Sequence, residues 1–259
     1  MKSADIVGAV KRHEGEWKGE NHNYRSWERC YKFFCSKPRD RDLACLHLTA
    51  YLTSFGMYRG SAFIASKDYL VHEDAVAAVE GYYGRLQNLD LSGCCKNIDH
   101  VFSLRQQLAS AYKRRADGHV ATETLVTKIM MGALGCAPAY DIYLREGLRE
   151  GSLPQAFSEK SYLKMLEFCD KESDDFEKAR RHLNQRPQRL VDYPIMRVVD
   201  IYFWQRGKEI RSRGLNYFFK DSASPHLLRQ PHLNQRLIRY IALVGGDLDL
   251  LQQSQRQAN

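Results

Sequence analysis

This chain is as informative for what it lacks as for what it contains. No run approaches the roughly 18 consecutive apolar residues of a membrane span. The opening M-K-S-A-D-I-V-G also has no apolar signal core, so a cytoplasmic protein with no membrane partner is expected. The seven cysteines are odd in number and never spaced C-x-x-C, which suits a reducing compartment better than a disulfide framework. Cys30, Cys35, Cys45 and His47 match no zinc spacing and read as core thiols with a nearby imidazole. The adjacent Cys94-Cys95 pair reads as part of a loop of small residues. There is no glycine-rich phosphate loop, so neither metal nor cofactor is expected. Internal repeats and the alternating pattern of a half-buried strand are missing too.

What remains is helical. Apolar residues at 44% and charged residues at 27% make an ordinary globular balance, and the fold class is all-α. The chain reads as one unit over 1–259, or as two lobes, 1–150 and 151–259. A net charge of +8 favours a polyanionic partner, DNA first. After a short amphipathic piece (Ile6, Val7, Val10), the spacing predicts an aromatic helix from Tyr24 to Ser36. A second helix follows from about Asp42 to Phe55, capped by Asp40 or Asp42. The segment T-S-F-G-M-Y-R-G-S places Tyr58 and Arg59 between two glycines, with Ser61 as cap of a long helix from Ala62 to about Tyr83. A helix N-terminus beside Arg59 is either an anion-friendly corner or an interhelical turn whose arginine pairs with a carboxylate. Leu86–Asn97 reads as a loop and Phe102–Arg115 as a helix.

Two groups of cations are candidates for phosphate contact. One is Lys113, Arg114 and Arg115 before the Asp117-Gly118 break. The other runs from Arg180 and Arg181, near the end of a helix over Ser158 to about Leu183, to Arg211 and Arg213 beyond an aromatic helix from Tyr193 to Arg206. Within that aromatic helix Arg197 and Asp200 are one turn apart and are expected to pair. A closing helix is expected over Leu233–Val244.

The chain is organised around His119–Arg145. It reads as a buried helix, a tight break at Gly135-Cys136-Ala137-Pro138, and another helix starting near Ala139. Between Val120 and Leu144 the only charged residues are Glu123, Lys128 and Asp141. Lys128 sits among Leu125, Val126, Ile129 and Met130, and Asp141 falls in the first turn after the break. Loss of hydration favours the neutral, nucleophilic form of an amine, whereas a neighbouring carboxylate favours the ammonium. A lysine with a nearby aspartate suits cleavage of an N-glycosidic bond: the carboxylate stabilises an oxocarbenium-like sugar while the amine, or a water, attacks C1′. A base must leave the stack for this chemistry. Tyr58, Arg59, Ser61 and Tyr140 are the candidate substrate-binding residues. The bland alternative is that Lys128 snorkels or pairs elsewhere and Asp141 only caps a helix.

The helix bearing Lys128, followed by Pro138 and Asp141, resembles the active-site region of helix-hairpin-helix DNA glycosylases. G-M-Y-R-G-S with T-K-I-M-M-G-A-L-G-C-A-P-A-Y-D is also similar to a set of uncharacterised bacterial helical proteins. The glycosylase resemblance implies an all-α fold with a base pocket between helical lobes, Lys128 as a Schiff-base nucleophile, and Asp141 as the catalytic carboxylate. It also implies duplex DNA carrying a modified or damaged base as substrate, and by analogy a defence role against phages. The family's hairpin L-P-G-x-G has no counterpart before Lys128, the thirteen-residue step to Asp141 is shorter than usual, and no four-cysteine cluster closes the chain. The alternative function is a non-catalytic helical protein that binds nucleic acid or a protein through its Arg180–Arg213 face.

Overall fold

A computed structural model describes residues 4–17, 22–60 and 62–222, with side chains to 213. Its contacts divide the chain into Met1–Ile210 and Arg211–Asn259, and the first of these units carries the candidate site. The order is α1 (Ile6–Gly15), α2 (Tyr24–Cys35), α3 (Arg41–Ser54), two short 3₁₀ turns (Phe63–Ser66 and Tyr69–His72), α4 (Glu73–Glu80), α5 (Tyr83–Leu86), α6 (Leu91–Lys96) and α7 (Ile98–Ser110). Then come α8 (Glu123–Ala133), α9 (Ile142–Glu150), α10 (Glu159–Lys171), α11 (Ser173–Asn184) and α12 (Ile195–Ser222). Among the described residues there is no strand, and no helix is long and apolar enough to cross a membrane.

The helix starts follow local chemistry. Asp5, Asp40, Asp90, Thr122, Asp141 and Ser158 each accept a hydrogen bond from a first-turn N–H of the helix they precede, satisfying donors that have no intrahelical partner. Several expected boundaries change. The helix expected over Phe102–Arg115 is α7, which ends at Ser110 and leaves Lys113–Arg115 in turns. The one expected to end at Arg206 is α12, which runs on past Arg211 and Arg213. The long helix expected over Ala62–Tyr83 is broken, because the Asp68 carboxylate accepts from Leu70 N at 2.7 Å and starts a new turn. The loop expected over Leu86–Asn97 contains α6, which Asp90 caps and Cys94 anchors in the core. The helix expected over Ser158–Leu183 is two, since Glu172 leaves helical geometry between α10 and α11. The expected Leu233–Val244 helix lies outside the described residues.

α8 is the centre of the unit. Every residue from Leu125 to Tyr140 is buried, with α2, α3 and α7 packed against α8. The chain then runs through the core without regular structure from Gly135 to Asp141, so its backbone polar groups need side-chain partners. Gly135 turns the chain in the left-handed region (φ +63°), with its N–H donating to Met130 O at 2.9 Å in the manner of a glycine helix cap. Trp27 Nε1 donates to Met131 O (3.1 Å), Tyr162 Oη to Cys136 O (2.7 Å) and Thr124 Oγ1 to Tyr140 O (2.9 Å). Tyr140 N donates to Thr127 Oγ1 at 2.9 Å and Ala139 N to Asp200 Oδ1 at 2.8 Å. Side chains from three helices, α8, α10 and α12, thus fix the strap that positions Asp141.

The step at 150/151 falls inside one continuous core, since Leu148, Phe157 and Tyr162 belong to the same buried cluster as Ile6 and Phe203. α9 reaches α12 by backbone-to-backbone contact. A Cβ at Gly147 would run into the carbonyl of Phe203, and one at Gly207 into that of Tyr143. Replacing Gly147 by alanine is therefore expected to cost about 2 kcal/mol or more through overpacking. Gly15→Ala, which meets nothing within 4 Å, is expected to be neutral or stabilising. Chemical unfolding midpoints of the two variants check this contrast.

Candidate active site

The strap and α8 bring Lys128 and Asp141 to one narrow cleft. Lys128 Nζ lies 3.3 Å from Asp141 Oδ2, with side-chain exposures of 6% and 18%. The two carboxylate oxygens divide their work. Oδ1 accepts from Tyr143 N (3.0 Å) and Leu144 N (3.1 Å) at the start of α9, which holds the group as the helix cap. Oδ2 is left for Lys128.

Behind this pair is a second one that is wholly buried. Arg197 and Asp200, a turn apart on α12, form a direct ion pair with side-chain exposures of 5% and 5%. Arg197 stacks its guanidinium over Trp27 (4.7 Å) and Phe55 (5.9 Å), while Lys128 Nζ lies 5.3 Å from the Phe55 ring centre. The cleft is lined by these four charged groups with His13, Tyr24, Tyr51, Phe55, Ala139, Ile201 and Trp204. Two cations face two anions between aromatic walls, so the charges balance internally. The cavity is about 20 Å³, enough for one water.

Burial raises the Asp200 carboxyl above its ordinary value, and the Arg197 cation opposes that shift. Burial also lowers His13 well below an ordinary imidazole, with Arg197 adding to the effect, so the ring is neutral. His13 was not legible as a site residue, although it continues the apolar stripe Ile6, Ala9, Val10 on α1 at helical spacing. Tyr24, Phe55 and Trp204 also reach the cleft from segments far apart in sequence.

The other sequence candidates lie elsewhere. The Tyr58 hydroxyl hydrogen-bonds His72 Nε2 at 2.6 Å, while His72 Nδ1 meets the Tyr112 hydroxyl at 2.7 Å. This closed, buried chain holds an imidazole pushed down to about 3 by burial. Arg59 is exposed, with its guanidinium folded back over Gly56. The Tyr140 ring packs against Phe157 at 4.9 Å rather than facing Lys128, because its backbone is tied on both sides to α8. Expecting Tyr58, Arg59 or Tyr140 beside Lys128 and Asp141 is thus corrected: none of the three lines the cleft. Ser61 lies outside the described residues.

Several of the expected DNA-binding cations are already engaged. Arg114 and Arg115 both pair with Asp74, and Arg115 also with Glu73. Arg180 pairs with Glu177 at 2.8 Å, and Arg181 Nε donates to Glu177 O at 3.4 Å. Lys113 and Arg213 are exposed, and Arg211 is half-buried. Among the described residues no three His, Cys, Asp or Glu side chains gather as a metal site, and all seven cysteines are free thiols.

Removing one partner of a buried pair strands the other charge. Arg197→Met is expected to cost about 3–5 kcal/mol near neutral pH. Because the folded-state Asp200 carboxyl is raised, its contribution is present below the unfolded value of roughly 4 and is lost as pH rises. Losing Arg197 raises it further, so the gap from wild type is expected to widen from pH 4 to pH 7. A pH-independent gap would mean that Arg197 acts only by packing on Trp27 and Phe55.

Comparison with known proteins found no matching family model, no matching curated protein and no matching solved structure.

Proposed function

We propose that the Lys128–Asp141 cleft is the reaction centre of a DNA glycosylase that releases a modified or damaged base. The observation that carries this reading is the 3.3 Å contact of a nearly buried lysine with a carboxylate oxygen not used in helix capping, between aromatic walls. The first step turns an ammonium into a nucleophile, and Asp141 Oδ2 is the adjacent proton acceptor. As the C1′–N bond breaks, its electron pair leaves with the base, which takes up the proton that Asp141 accepted, and the regenerated carboxylate faces the positive charge that spreads over C1′ and the ring oxygen. Nζ closes on C1′ and forms the new bond. In the hydrolytic variant a water takes that place, gives its proton to Asp141, and Lys128 positions the sugar.

A base does not fit a 20 Å³ cavity, so substrate entry requires the cleft to open. Trp204 is the movable wall in this reading, being half-buried at the mouth with Tyr143 and Lys208 against its ring. Modified bases, and with them a role in defence against phages, are the substrate class that the sequence resemblance favours. The net charge of +8 supports a polyanionic substrate, with binding that weakens as salt rises.

The test is incubation with duplexes carrying a panel of modified bases, scored for abasic sites. Wild type is expected to produce them on at least one duplex. If Lys128 is the nucleophile, borohydride traps a protein–DNA adduct that Lys128→Ala abolishes. If a water attacks, no adduct forms and Asp141→Asn is the more damaging change. Intact DNA binding with no abasic site on any duplex would leave a non-catalytic binder as the better account.

A further inference from the structure

Several polar atoms in and beside the cleft are shielded from solvent yet make no hydrogen bond within the protein. They are both ring nitrogens of His13, Nε of Arg197 and Oε1 of Gln205. Their residues are 2%, 4% and 4% exposed. Gln205 is within hydrogen-bonding reach of the His13 ring and favours its protonation, although no bond between them is completed in this arrangement. Such atoms are scarce in folded proteins because each has given up water without replacement, and a group of them calls for an occupant.

The His13 ring is held edge-on by three aromatic neighbours, Tyr24 at 4.5 Å, Trp204 at 5.2 Å and Trp17 at 5.8 Å. Ion pairs from the last turn of α1 and its C-cap pin that end in place. Arg12 binds Glu209 at 2.8 Å, Glu14 accepts from His182 at 2.6 Å and Arg186 at 3.0 Å, and Glu16 pairs with Lys208. The ring is thus placed by the fold, not by any hydrogen bond of its own. A neutral imidazole offers one donor and one acceptor, the Arg197 Nε–H another donor and the Gln205 amide oxygen another acceptor. That alternation complements the edge of a purine or pyrimidine, and Tyr24, Phe55 and Trp204 supply faces on which a flat ring can stack.

We propose that His13, with Arg197 and Gln205, forms a recognition site for the polar edge of a nucleobase in the cleft beside Lys128 and Asp141. The identity of the ligand rests on the base-release reading, but the site can be tested without any catalysis. The full-length protein is titrated with free adenine, hypoxanthine, uracil and 3-methyladenine. Binding is followed by calorimetry and by the ¹⁵N resonances of the His13 ring.

At least one base is expected to saturate and to shift the His13 ring nitrogens. His13→Phe keeps a flat ring and removes both nitrogens, and is expected to weaken that binding at least tenfold. Gln205→Leu is expected to weaken it less. Where His13→Phe fails to fold, the wild-type ¹⁵N shift and Gln205→Leu decide. The proposal is overturned if a base saturates without moving those resonances, if His13→Phe binds it equally well, or if no base binds up to millimolar concentration and the site holds only a water. Base binding at His13 with no base release from any duplex would sink the glycosylase reading alone. Base release without any role for His13 would sink this one alone.

Discussion

The buried ion pair between Arg197 and Asp200 is the constraint on which the cleft depends. Asp200 spends one oxygen on Arg197 and the other on the N–H of Ala139, so a single carboxylate ties α12 to the irregular strap between α8 and α9. Arg197 in turn is clasped by Trp27 of α2 and Phe55 at the end of α3. Desolvating two charges is costly, and it is offset here by their direct pairing, by the bond from Ala139 N to Asp200 and by the aromatic faces against Arg197. Because Ala139 is fixed, Asp141 two residues on is fixed as well, and α9 starts where its carboxylate can both cap the helix and meet Lys128.

The two ion pairs of the cleft are unlike in a way that separates structure from chemistry. Asp200 has both oxygens committed and is almost fully buried. Asp141 has one committed oxygen, partial exposure, and a lysine partner at 3.3 Å, longer than a close charge-assisted hydrogen bond. The first arrangement resists change. The second leaves an oxygen and an amine able to exchange partners, which the proposed base release requires of groups that must also move protons.

Much of this was legible in the sequence, for local reasons. The bounds of α2 and α3 follow from apolar periodicity and an aspartate cap. The buried α8 and its break follow from an apolar run ended by glycine and proline. The pairing of Arg197 with Asp200 follows from helical spacing, and Lys128 and Asp141 stood out because a desolvated charge is anomalous in any context. What could not be read was long-range. His13 shares the cleft with Trp204, which is far away in sequence, and nothing local marks it beyond a histidine on an apolar stripe. Tyr58 and Tyr140 are beside special segments but face other neighbours, because the direction of a side chain is set by tertiary packing. The basic clusters looked available as a count of charges, yet Asp74 and Glu177 neutralise several of them in space.

The proposed function requires Lys128 to be held for chemistry and not for folding, a requirement that the unfolding free energy of Lys128→Met puts to the test. Asp141 keeps its two backbone donors and some solvent when the lysine is gone, while an apolar side chain suits the surroundings of α8. The expected midpoint is equal to or above that of wild type, as at sites where function is maintained against stability. A loss of about 3–5 kcal/mol, the cost of breaking a fully buried pair, would show that Lys128 is a structural ion-pair partner and contradict the account.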